Sequence, residues 1–134
     1  MKLHHVGIVV QSIAQSAPRY RQLFGLQPVS PVVTDERQRV NVQFLASDAD
    51  ATSVELIEPL PGISPARGAL EKGGGLNHLC FEVADIEAMV RHAESDGVVC
   101  VCSPVPAAAF DGRRIAFLYY REIGLIEFVE AAKK

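Results

Sequence analysis

"LNHLCFEVADI", residues 76–86, decides the fold, because the chain carries nearly the same segment once before, as "LHHVGIVVQSI" at residues 3–13. A shift of 73 positions puts Leu3 on Leu76, His5 on His78, Val10 on Val83 and Ile13 on Ile86. Two more stretches follow in order. "VQFL" (42–45) meets "IAFL" (115–118) at the same shift, and "VELIE" (54–58) meets "IEFVE" (126–130) at a shift of 72. Self-similarity at a long fixed period marks a duplicated supersecondary unit. Three ordered matches with a single one-residue slip identify a duplication.

Each copy follows one pattern. Residues 3–10 and 77–83 are rich in β-branched and aromatic residues and predict strands. In the first copy a helix follows, with Ser16 as its cap, Pro18 in its first turn and Gly25 closing it. In the second, Asp85 caps a helix whose Ile86, Met89, Val90 and Ala93 fall on one face, and Asp96-Gly97 ends it. β patterns follow in "PVVTDERQRVNVQFLA" and "ATSVELIEPL", parted by the polar turn 47–50, with a short strand around 27–33 before them. The second copy repeats them near 98–102, 114–119 and 124–129. The expected fold is α+β: two tandem βαβββ modules. Module one is 1–60 and module two is 76–134, in a single domain. The connector, 61–75, holds a short helix started by Ser64-Pro65 and stopped by Gly73-Gly74-Gly75.

Bulk properties narrow the function. With 49% hydrophobic and 22% charged residues over 134 positions, the chain can bury an ordinary core. A net charge of −3 with no basic stripe argues against a nucleic-acid partner. Three cysteines without a CxxC pair argue against a disulfide framework or a cysteine-bound zinc. No apolar run reaches the ~20 residues that span a bilayer, and Met1-Lys2 leads straight into a strand; the expectation is a cytoplasmic protein with no membrane partner.

The repeated polar residues carry the chemistry. Glu55 lies between Val54 and Leu56, and Glu127 between Ile126 and Phe128, at the same place in the last strand of each copy. An uncompensated carboxylate on a buried face costs several kcal/mol. His5 and His78 occupy the matching place in the first strands. A divalent cation is a common partner for two imidazoles and two carboxylates. Such a donor set suits zinc, nickel, cobalt, manganese or ferrous iron. His5, Glu55, His78 and Glu127 are therefore the expected ligands, with coordination positions left for water or substrate. His4 and His92 lack repeat partners and are read as surface residues. Glu58 and Glu130, three residues past the ligand candidates, fall on the opposite face by the period of two and are assigned to solvent. Arg113 and Arg114 are read as solvated strand-end charges, with a substrate anion as the alternative. Asn41 and Gln43, continued by Arg37 and Arg39, share a face that can line the pocket. Cys80, two residues beyond His78, is read as a small buried apolar residue.

At these residues the chain resembles the vicinal oxygen chelate superfamily, which holds glyoxalase I, methylmalonyl-CoA epimerase, extradiol dioxygenases and bleomycin-resistance proteins. "HHVGIVV" resembles the family's first-strand "DHIGIAV". "VELIEPL" with "SPARGALEKGGGLNHLCFEVADIE" resembles the epimerase run, and "GRRIAFLYYREIGLIEFVE" is similar to the last strands of epimerases and small bacterial glyoxalases. The resemblance implies that the two modules build a curved mixed sheet around a metal site, and it puts the family's metal ligands on His5, Glu55, His78 and Glu127. It implies one divalent ion (Ni, Co, Zn or Mn), a small-molecule carbonyl or thioester substrate, and a homodimer.

The implied reaction is epimerisation through a metal-stabilised enolate, with Glu127 as principal base and Glu55 as its counterpart. Glyoxalase I (lactoylglutathione lyase) isomerisation is the alternative, and a non-catalytic, drug-sequestering binder the second. The chain departs from epimerases at Tyr119-Tyr120 and the short "REI", where they carry "HP" and a longer glycine-bearing loop.

Overall fold

The computed structural model describes residues 1–133, which form nine strands and three α-helices among them. The chain divides into two compact units, one of residues 5–77, the other of residues 1–4 with His78 onward.

The first unit holds β1 (Lys2–Val9) from His5 on, then α1 (Ile13–Phe24), β2 (Gln27–Pro28), β3 (Val33–Asp35), β4 (Val40–Ala46) and β5 (Ser53–Pro59). β1 and β5 run parallel, β4 pairs β5 antiparallel, and β2 and β3 both pair β4. The anticipated short strand around 27–33 is thus two fragments, because Pro28 and Pro31 remove ladder donors. The helix begins earlier than expected. Ser12, not Ser16, is its N-cap and accepts from the Gln15 N–H at 3.2 Å. Pro18 then lies inside the helix and leaves one intrahelical bond unmade. Gly25 closes it as expected, at φ 71°.

The connector helix α2 (Arg67–Glu71) also departs from expectation. It has no side-chain cap; the Ser64 carbonyl accepts from Arg67 while the Ser64 hydroxyl is buried. The glycines after it are a steric requirement at one point. Gly74 has φ +72°, and a Cβ there would lie 2.8 Å from the Val9 carbonyl oxygen.

The second unit holds β6 (Gly75–Val83) from His78 on, then α3 (Ile86–Ser95), β7 (Val99–Pro106), β8 (Arg114–Tyr120) and β9 (Gly124–Glu130), the βαβββ order itself. β6 runs parallel to β9, β9 antiparallel to β8, and β8 antiparallel to β7. Asp85 caps α3 through Ala88, as its spacing predicts.

In each unit the strands are two-faced. On β9, Ile126 and Phe128 join Ala116, Leu118, Val83 and the α3 residues Ile86, Val90 and Ala93 in one buried cluster. The first unit's helix-side cluster is smaller, with Ile13, Leu45 and Leu56 fully buried. Alternation then fixes the other face: residues one step away, Glu55 and Glu127 among them, point away from the helix.

Candidate metal centre

Register builds the site the same way in each unit. Gly7 on β1 is paired with Glu55 on β5, and Cys80 on β6 with Glu127 on β9. Each histidine is two residues before the paired residue of its strand, so it shares the carboxylate's face. His5 Nε2 is 3.4 Å from a Glu55 carboxylate oxygen, and His78 Nε2 is 3.3 Å from one of Glu127. His5 is 0% exposed, and Glu55, His78 and Glu127 are 6%, 4% and 3% exposed. Four ionisable side chains are buried on otherwise apolar strands.

The spacing within each pair suits a metal. Charge-assisted N–H···O⁻ bonds run about 2.7–2.9 Å, shorter than either separation. Two donors bound to one ion at about 2.0–2.2 Å, near a right angle, sit roughly 3 Å apart. Nitrogen and carboxylate oxygen are donors that first-row divalent ions accept. Each imidazole–carboxylate pair therefore fits as half of a ligand set.

Two aromatic residues that the sequence reading passed over complete the pairs. Phe44 stands edge-to-face with His5, and Phe117 with His78, each at 5.2 Å between ring centroids. Their signal was present, since the shift of 73 that aligns the histidines also aligns Phe44 with Phe117.

Other expectations need correction. Glu58 is half-buried and engaged: its carboxylate accepts from the Ile13 N–H at the start of α1 and from Asn41, both at 3.1 Å. Asn41 and Gln43 consequently lie on the helix-covered face, away from Glu55, and Gln43 donates to the Ser30 carbonyl. Arg39 braces a turn against Glu36 and the Pro61 carbonyl, while Arg37 is exposed. Glu130 accepts two bonds from Arg114, which also reaches Glu87 of α3. Arg113 donates to Glu82 and to the Glu130 carbonyl, over the Phe110 ring. Neither arginine is a simple solvated charge. Both reach across elements: the helix or neighbouring strand brings partners that period-two reasoning within one strand cannot see. His4 is half-buried with its ring against Phe110, whereas His92 is exposed as expected. Cys80 is fully buried, as expected.

The Arg114 guanidinium holds the Glu130 carboxyl below the ordinary glutamate range. A lowered folded-state pKa stabilises above the unfolded value and is lost as pH falls through the folded one. Glu130→Gln should therefore melt roughly 2–3 °C below wild type at neutral pH, a small gap because the pair is partly open to solvent. The gap should stay constant down to about pH 4.3 and close below it; thermal melts from pH 7 to pH 3 check this.

Comparisons with known proteins bear on the family and the fold. The chain is 36% identical to the uncharacterized protein YqjC of Bacillus subtilis over 132 residues, covering 96% of this chain and 91% of that one. It is 33% identical to the ethylmalonyl-CoA/methylmalonyl-CoA epimerase of Cereibacter sphaeroides, covering 90% of each chain. The methylmalonyl-CoA epimerase of Streptomyces coelicolor, solved in complex with 2-nitronate-propionyl-CoA, superposes with a TM-score of 0.84 at 26% identity, covering 99% of both chains. These likenesses support an epimerase-like function for a chain of the same α+β, glyoxalase-like fold. No helix among the described residues is long and apolar enough to cross a membrane. Residues 4–117 match the Glyoxalase/Bleomycin resistance protein/Dioxygenase superfamily, and the chain belongs to it.

Proposed function

We propose that the protein is a metal-dependent epimerase that moves the proton on the carbon beside the carbonyl of an acyl-CoA thioester. In this reading His5, Glu55, His78 and Glu127 together hold one divalent ion, and modules 1–60 and 76–134 work as one domain. The observation that carries it is the pair of buried imidazole–carboxylate couples at matched registers. The named epimerase relatives supply the substrate class.

A divalent ion, when bound, supplies Lewis acidity that stabilises negative charge on the carbonyl oxygen of the substrate. The residues supply the rest. Glu127 takes the proton from carbon; a carboxylate has two oxygens, so one can serve the ion while the other carries the proton. Glu55 would begin the turnover protonated and deliver that proton to the other face of the carbon, so the reaction ends with Glu127 protonated and Glu55 ionised, and the reverse direction uses them in exchanged roles. The imidazoles of His5 and His78 would supply the nitrogen donors. The apolar strand faces around them keep water from competing for the proton.

The test is exchange. Incubated in D2O with Co2+ and 2-methylmalonyl-CoA, the protein is expected to incorporate one deuterium at the carbon between the two carbonyls, read by mass spectrometry. Elemental analysis should find about one metal per chain, as a single site requires. Exchange with the methylglyoxal–glutathione hemithioacetal and not with the thioester would replace this reading with the glyoxalase one. Metal-free protein that exchanges neither would leave only binding.

A further inference from the structure

We infer that Phe44 and Phe117 are positioning residues: each fixes the plane of one histidine so that Nε2 is aimed at its glutamate and the pair is preorganised for a metal. The inference rests on the metal reading above and goes beyond it, since neither phenylalanine supplies a donor atom.

The geometry is duplicated. Phe44 is the cross-strand partner of Glu55, and Phe117 of Glu127. Each ring therefore rises beside its carboxylate, on the same face, and meets the histidine of that unit. The ring centroids are 5.2 Å apart in both units, with interplanar angles of 70° and 90°. These are edge-to-face arrangements, which aromatic quadrupoles favour.

The physical need is clear. The outer torsion of histidine is soft and roughly two-fold, so an unsupported ring can turn and present carbon where nitrogen is required. Metal-ligating histidines normally have that freedom limited by a hydrogen bond from the other ring nitrogen, and a packed ring adds a restraint of shape. A ring held perpendicular to the imidazole blocks the turn by shape. A residue kept at the same repeat position, in the same contact with the same partner, is more than filler for a core. Leucine would occupy most of the volume without presenting a flat face.

The experiment uses the full chain and Co2+, whose visible absorption reports coordination. Phe117→Leu is expected to weaken Co2+ binding about tenfold or more, by chelator competition, and to change the absorption bands; Phe117→Tyr, which keeps the ring, should stay within about threefold of wild type. A purely structural role would lower the melting temperature of Phe117→Leu and leave the affinity and bands of its folded fraction unchanged. That result overturns the inference and leaves the metal reading standing. If Phe117→Leu does not fold, Phe44→Leu puts the same question to the other unit and decides by the same readings. Wild-type protein that takes up no Co2+ overturns both readings together.

Discussion

Glu127→Gln is expected to lower the rate of deuterium exchange into a 2-methylmalonyl thioester by about 10³-fold, within the range that removal of a general base produces. The substitution is nearly isosteric, so the side chain keeps its place on β9 beside His78. It changes two things. The amide cannot accept a proton, which removes the base. It also carries no charge, which weakens the hold on a dication. The two effects separate by measuring metal content and exchange on the same sample, with excess Co2+ in the assay. Exchange within about tenfold of wild type at full metal occupancy would take Glu127 out of the base role. Glu55→Gln, at the matching register, would then be expected to carry the larger loss.

The neighbouring residue bears on stability instead. Phe128 is 3% exposed and points to the other face of β9, into the cluster with Ile86, Val90, Ala116 and Leu118. Phe128→Ala removes most of a ring from a packed layer between strand and helix. The expected loss is about 3–5 kcal/mol, from lost transfer energy and from the cavity left behind. Domains of this size hold only about 5–15 kcal/mol in total. The melting temperature should therefore fall by more than about 10 °C, measured by circular dichroism or calorimetry. A destabilisation under about 1 kcal/mol would mean that α3 collapses onto the sheet and that the core is softer than its burial indicates.

These two adjacent residues show why so much was legible from residues alone. In a strand the side-chain period is two, so a charged residue between Ile126 and Phe128 must face away from whatever those two pack against. The repeat then turned one odd glutamate into two, and one histidine into two. Conformational signals with local causes were also legible: Asp85 caps α3 and Gly25 ends α1. Where a local signal misled, a stronger local competitor had won. Ser12 caps α1 ahead of Ser16, and the helix tolerates Pro18 within it.

The sequence by itself determined the α+β duplication and which side chains share each strand face, because periodicity and a constant shift depend only on spacing along the chain. Tertiary structure alone decided what those faces meet. Glu58 was correctly placed opposite Glu55, yet that side is covered by α1, whose Ile13 N–H comes from 45 residues away. Glu130 was likewise placed opposite Glu127, and Arg114 from the next strand and Glu87 from α3 complete its setting. Whether a face is wet or dry, and which donor answers a buried acceptor, is fixed by elements that fold back from distant positions. No spacing rule within one strand contains that information.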